Sequence, residues 1–473
     1  VWDRESLDES ILSSLRALVA SQEDVDYIEI RLEYNESTNL ETLNDHVRHQ
    51  AHVVEIGGNV RVFHQGAVGF VHFDGWDDLP RHINDAKLLA KWENSSGFPW
   101  GSQDSPAPAD PVYSVQRLVT LENPLKVPLE DKIHLLLGYA ELAHITHPLV
   151  KSVTGRYFDR YRHLWFADNR GSAIEQEKLD LGGNVVVMAR NSNGTAQRGV
   201  SYGSSNDFGV LRNLDDQIKD AARSAVALLD APEVEGGEYT VVVDPYLAGV
   251  FAHEAFGHLS EADGQVGDEG LLEQMVLGRK FGPPNLHIYD TGKDMGSRGY
   301  LPFDDEGVPA QDVDLIKDGV LVGRLHSRET AAHLGERPTG NARALHYRFP
   351  PIVRMRNTVI APGDTAFADL FQGIKRGIYA KGTHGGQTNG ELFTFLAAEA
   401  YLIEDGQITR PVRNAVLTGN VFSTLQQITA IGNDFTRYEG GGGCGKAGQM
   451  PLPVSHHAPS LRIERCVVGG RGR

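Results

Sequence analysis

Tyr239-Thr240-Val241-Val242-Val243-Asp244-Pro245 leads through Tyr246-Leu247-Ala248-Gly249-Val250-Phe251-Ala252 into His253-Glu254-Ala255-Phe256-Gly257-His258. Tyr239 to Val243 reads as a short buried strand. Asp244 reads as a helix N-cap and Pro245 as the first helical residue. Leu247, Val250 and Phe251 then repeat at helical spacing. The stretch thus predicts a strand, a sharp entry and a helix with two imidazoles and a carboxylate in its last turns. Two neutral imidazoles can hold a metal ion, and an adjacent carboxylate can take a proton from water activated there.

The spacing separates this motif from H-E-x-x-H, whose histidines stand four apart on one helical face. Here Gly257 occupies the fourth position and His258 the fifth. On an ideal helix such residues lie about 140° apart, too far round to share one ion. The helix is therefore expected to widen into a π-turn or to end near Gly257, where glycine weakens it. Glu254 and His258 are four apart and share a face on an ordinary helix. The competing reading makes the histidines hydrogen-bonded fillers and Glu254 a solvated charge.

A third ligand comes from Gly440-Gly441-Gly442-Gly443-Cys444-Gly445-Lys446, a glycine-saturated loop around one thiol. A thiolate is a strong, soft ligand, and two histidines plus one cysteine leave a fourth position for water. Lys446 is expected to favour the thiolate. The alternatives are a surface loop with an inert cysteine, or a disulfide to Cys466.

His253-Glu254-x-x-x-His258 with Gly443-Cys444-Gly445-Lys446-x-Gly448-Gln449 resembles the TldD branch of the TldD/PmbA metalloprotease family. Pro302-Phe303-Asp304-Asp305-Glu306-Gly307, Arg354-Met355-Arg356-Asn357-Thr358 and Gly385-Gly386-Gln387 extend the likeness. Asp26 to Arg31 and Gly66 to Phe70 carry it weakly into the N-terminal half. Met450 ahead of Pro451 is one departure. The resemblance implies His253, His258 and Cys444 as ligands of one Zn2+ per chain and Glu254 as the catalytic glutamate. It also implies cleavage of extended peptides with little side-chain preference. A homodimer, or a heterodimer with a TldE/PmbA-like subunit lacking the metal motif, is the implied assembly.

The 473 residues suffice for two or three domains, and the net charge is −18. No basic block suits nucleic acid, and no run of about 18 apolar residues suits a membrane. Val1-Trp2-Asp3-Arg4-Glu5 does not resemble a signal peptide. Two cysteines fit a reducing cytoplasm.

An α+β architecture is expected, divided at Ala231-Pro232-Glu233. Residues 1–232 read as a mixed α/β domain and 233–473 as a strand-rich antiparallel barrel or sandwich carrying the metal-site helix. Helices are expected at Leu7–Leu18, Ile83–Trp92, Leu129–Ile145 and Leu214–Leu229. Strands are expected at Tyr27–Tyr34, Val53–Phe63, Ala67–Phe73, and between Val153 and Ala189. Ser96 to Pro111 reads as a long loop. His64-Gln65-Gly66, Lys317-Asp318-Gly319 between strands at Val313–Ile316 and Val320–Leu325, and Glu404-Asp405-Gly406 signal hairpins.

The chemistry that follows is metal-assisted amide hydrolysis, with Glu254 as general base. Lys446, His384, His457 and the loop backbone are candidates for steadying the oxyanion. Substrate is expected along a sheet edge. Three rivals stand beside it: a non-catalytic partner with a structural zinc site, a metal-dependent small-molecule amidase, and a cysteine hydrolase using Cys444.

Overall fold

The computed structural model describes residues 10–96 and 105–469. Its first sheet has seven strands: β1 (Tyr27–Leu43), β2 (His46–His64), β3 (Ala67–Asp74), β4 (Tyr113–Gln116), β5 (Val150–Asp168), β6 (Ala173–Asn191) and β7 (Gly194–Ser204). Their order is β3-β2-β1-β5-β6-β4, with β7 also on β6. All neighbours are antiparallel except β4 with β6.

Ile28, Ile30 and Leu32 alternate with Glu29, Arg31 and Glu33, and all six are buried. Strand side chains alternate between faces, so this sheet has one apolar face and one charged face. The helices Ser10–Ala20, Leu79–Ser96, Leu129–Thr146 and Asp215–Leu229 cover the apolar face. The charged face meets the C-terminal half. There Arg31 Nη2 donates to Phe349 O at 2.9 Å, and Asn59 Nδ2 donates to Tyr347 O at 2.7 Å.

The C-terminal half holds a second seven-stranded sheet: β8 (Gly237–Val243), β15 (Arg376–Asn389), β16 (Leu392–Glu404), β17 (Gln407–Val412), β18 (Val416–Asn420), β19 (Ile428–Ile431) and β24 (Leu461–Gly469). The path β15-β8-β24-β18-β16 closes on itself because β15 also pairs β16. This barrel is antiparallel apart from β8 with β15. Beside it lies a six-stranded sheet of β9 (Ile288–Thr291), β10 (Asp312–Lys317), β11 (Val320–Leu321), β14 (Asn357–Ile360), β20 (Thr436–Tyr438) and β23 (Ser455–Ala458). Two ribbons complete the half: β12 (Ala342–Arg343) with β13 (Ile352–Val353), and β21 (Cys444–Lys446) with β22 (Gln449–Leu452).

The expected hairpins are present, with positive φ at Gln65 and Gly66, Asp318 and Gly319, and Asp405 and Gly406. Positive φ at both central residues matches the twist of the flanking strands. Several strands exceed their sequence reading. β2 begins at His46 rather than Val53, because its exposed first half has no core to impose alternation. Conversely, of Val320–Leu325 only Val320–Leu321 forms a strand, and Leu325 makes a separate bridge to Glu261. The expected helix at Leu7–Leu18 is described from Ser10; its first three residues, and 97–104 of the expected loop, lie outside the described residues. Among the described residues no helix is long and apolar enough to cross a membrane.

Candidate metal centre

Strand β8 delivers the chain to the site. Asp244 caps the next helix, Pro245–Phe251, by accepting Leu247 N–H at 2.9 Å. The same oxygen accepts Gly382 N–H at 2.9 Å and so ties the helix start to β15. Gly249 lets the helix lie on β23, since a Cβ there would stand 2.8 Å from His456 Cβ. The helix then widens: Ala252–Gly257 is a π-turn, followed by a short 3-10 turn at His258–Ser260. This is the distortion that a five-residue histidine spacing demands. Gly257 serves packing as well, because a Cβ there would meet Met355 Sδ at 1.9 Å.

The widened turn brings the His253 and His258 rings to a centroid separation of 5.1 Å. Cys444 arrives on β21, with its Sγ 3.3 Å from His258 Nε2. One donor atom from each of the three residues lies within 4.8 Å of the other two. His253 and Cys444 are buried, whereas Glu254 is 28% exposed, with Oε2 4.0 Å from His258 Nε2. The carboxylate therefore stands on the accessible side of the trio.

Burial opposes a Cys444 thiolate, yet the imidazoles of His253 and His258 outweigh it and bring the thiol down to about 4. Burial likewise opposes an imidazolium at His258, but Cys444 and Glu261 raise it to about 11. The protein alone thus holds a thiolate–imidazolium pair, and a divalent cation would take the place of the proton. Both cysteines are free, so the alternative of a Cys444–Cys466 disulfide is absent.

Sequence reading missed the residues that aim the two imidazoles. Buried Glu261 accepts from His258 Nδ1 at 3.0 Å, which turns Nε2 towards Cys444. A carboxylate behind a metal-binding imidazole fixes its tautomer and raises its basicity. Thr358 Oγ1 lies 3.4 Å from His253 Nδ1 and holds the other ring in the same way. The His456 ring lies 4.6 Å from that of His253, and burial holds its basicity well below the ordinary imidazole range. A glutamate three residues after the second histidine was the available signal for Glu261.

Lys446 does not work as expected. Its Nζ donates to Glu261 at 2.9 Å, Asp263 at 2.6 Å and Val353 O at 3.1 Å, so it balances the acids behind His258. Burial opposes the charge on Glu261, but His258 and Lys446 bring that carboxyl to about 2. His457 is engaged elsewhere, with Nε2 3.0 Å from Glu439 Oε1 and Nδ1 3.5 Å from Asp294 Oδ2. His384 lines a separate cavity with Gln197 and Leu228. The glycine loop is fastened to the first sheet. Arg298 Nη1 donates to Gly440 O and Gly442 O, while Nε and Nη2 grip Asp180 at 2.7 and 3.0 Å.

The PmbA/TldA metallopeptidase central domain matches residues 122–229 and its C-terminal domain 236–470. A metalloprotease of Synechocystis sp. is 45% identical, over 95% of this chain and 96% of its own. A zinc metalloprotease TldD homolog of Saccharolobus solfataricus is 34% identical, over 72% and 76%. TldE from Thermococcus kodakarensis shares the fold, with a TM-score of 0.73 at 18% identity, over 97% and 100%. A Thermotoga maritima structure gives 0.77 at 20% identity, over 97% and 99%. With both domains matched and a 45% identical metalloprotease aligned along nearly its whole length, the chain belongs to the PmbA/TldD family and is a metallopeptidase.

Proposed function

We propose that the chain hydrolyses extended or unstructured peptides with little side-chain selection, using one zinc ion held by His253, His258 and Cys444 and Glu254 as general base. The observation that carries this reading is the convergence of two imidazoles and a thiol beside a half-exposed glutamate. A soft thiolate with two imidazoles suits zinc, and donors around tetrahedral zinc stand roughly 3.3–3.6 Å apart. The 3.3 Å between Cys444 Sγ and His258 Nε2 meets that spacing. Three protein donors, rather than four, is the count of a catalytic site.

When bound, zinc supplies Lewis acidity and makes water acidic enough to lose a proton near neutral pH. Glu254 takes that proton and later passes it to the leaving amine. Glu261 and Thr358 keep the two rings aimed inward, and Lys446 keeps Glu261 ionised. Strand β21 pairs only with β22 among the described residues, so its outer edge offers main-chain groups to an extended peptide beside Cys444. Residues 1–232 and 233–473 are proposed as two domains; the largest core begins at Val234, and the larger cores of the first sheet end before it, while a small cluster joins Phe303 to Leu164, Phe166 and Ile174 across the boundary. Free cysteines support a cytoplasmic setting, and the likeness to TldE supports pairing, either as a homodimer or with a TldE-like subunit.

Glu254→Gln tests the mechanism. Cleavage of an unstructured peptide should fall about 10²–10⁴-fold with metal content unchanged, measured by turnover and elemental analysis. Undiminished cleavage would overturn the role of Glu254.

A further inference from the structure

A second polar site lies one strand away from Cys444. On the charged face of the first sheet, Arg162 of β5 stands directly opposite Lys178 of β6, and Arg160 opposite Asp180. These four residues, with Arg343 and Asp305, line a cavity of about 70 Å3 that Leu452 and Pro453 close on the other side. Leu452 is the register partner of Cys444 in the β21–β22 ribbon. Opposed residues of antiparallel strands stand about 5 Å apart, so this cavity abuts the proposed catalytic centre.

The charges in this wall do not balance. Arg162 is matched by Glu33 and by Asp305 at 2.9 Å, and Asp180 is held by Arg298 at 2.7 and 3.0 Å. The other three cations have no carboxylate within ion-pair distance among the described residues. Arg343 donates to the carbonyls of Met355 and Pro453, at 2.6 and 2.7 Å, and Arg160 to Pro451 O at 3.4 Å while lying 5.1 Å over the Phe158 ring. Lys178 Nζ makes no hydrogen bond to any described residue. Glu33 and Asp305 offset Arg162, but Lys178 opposite it adds a like charge with no ion pair of its own among the described residues, which weakens the ladder. Burial, and next the charge of Arg343, lowers Lys178 to about 7. Burial, and next Arg354, lowers Arg343 to about 10. The whole chain carries a net −18, so this concentration of unmatched positive charge runs against its general character.

We propose that this cavity is a subsite for one carboxylate of the peptide substrate, held by Lys178 and Arg160 beside the β21–β22 ribbon. It rests on the peptidase reading above and adds to it a preference for an acidic group at a fixed distance from the bond cleaved. That group is either the peptide's C-terminal carboxylate or an acidic side chain. Charge-assisted hydrogen bonds set the preference, and removal of the ammonium leaves Arg160 as the one remaining group of the pair to select the acid over its amide.

The test uses one peptide series in which the C-terminal carboxylate, or one glutamate at a time, is replaced by its amide. Wild type should show a KM at least about tenfold lower for one acid than for its amide. In Lys178→Met that ratio should fall towards one, and Lys178→Arg should restore it. A wild-type protein indifferent to every acid–amide exchange would overturn the subsite, as would a ratio that survives Lys178→Met. Calorimetry of the same peptides on Glu254→Gln reads the subsite without turnover. An acid preference in binding with no cleavage by wild type would break the peptidase reading and uphold the subsite. Competitive inhibition by inorganic sulfate that Lys178→Met abolishes, with no acid preference among peptides, would assign the cavity to a small free anion and overturn the substrate role.

Discussion

Cys444 and Cys466 are both buried thiols, 5% and 4% exposed, and they sit at opposite ends of thiol chemistry. Cys466 lies on β24 opposite Tyr239 of the barrel, where burial alone pushes its thiol up to about 12. At Cys444 burial acts in the same direction, but His253 and His258 overrule it and leave the thiol near 4. Depth is equal, so neighbours decide. A π-turn that swings two imidazoles onto one side of a helix separates a reactive thiol from inert packing.

The strongest way to break this contrast is to delete each sulfur. Cys444→Ala should lose the metal and with it peptide cleavage, by at least about 10³-fold, because the proposed site keeps only two donors. Iodoacetamide near pH 7 should label Cys444 in chelated wild type, bound metal should protect it, and Cys466 should stay unlabelled. Mass spectrometry of the labelled peptides together with elemental analysis checks both statements. Equal metal content in Cys444→Ala and wild type would remove this sulfur from the site.

Much of the centre was legible because its chemistry is local. His253, Glu254 and His258 lie within six residues, and their spacing forces the widened turn that the structure contains. Cys444 was legible as a thiol framed by glycines, although nothing in the order of residues places it beside His258, 186 positions away. His456 and Thr358 were not legible, because they reach His253 only through the parallel pairing of β23 with β14. His457 was a reasonable candidate, but strand alternation turns it to the opposite face from its neighbour, towards Glu439. In the fold, turns were read well because positive φ demands particular residues. The exposed half of β2 was missed because no buried face patterns it.

Glu261 offers a finer test, because it stands behind the contrast between the cysteines. Its folded carboxyl lies near 2 against an ordinary 4.5. A depressed carboxyl contributes stability that is present above 4.5 and lost as pH falls towards 2. In metal-free protein that contribution is on the order of 3 kcal/mol. Denaturant melts of wild type and Glu261→Gln between pH 6 and 2 should therefore differ most at pH 6 and converge at the acid end. Without the Glu261 carboxylate His258 holds its proton less tightly, so the pH midpoint for alkylating Cys444 should rise by about one unit. An unmoved midpoint would mean that His253 alone lowers the thiol.

The smallest effect is expected at Cys466, and it is informative for that reason. Cys466→Ala removes one buried sulfur from the barrel wall and leaves a small cavity, which costs about 1 kcal/mol. Metal content and turnover should stay at wild-type values, because nothing but burial acts on this thiol. Cys466→Ser sharpens the point. A hydroxyl in an apolar site loses its water without gaining a strong partner, and among the described residues the sulfur's polar contact is the Val467 carbonyl at 3.9 Å. Serine should therefore be the more destabilising of the two, as read by the denaturation midpoint. If serine is tolerated better than alanine, the barrel wall supplies a polar partner there, and burial is not what separates this cysteine from Cys444.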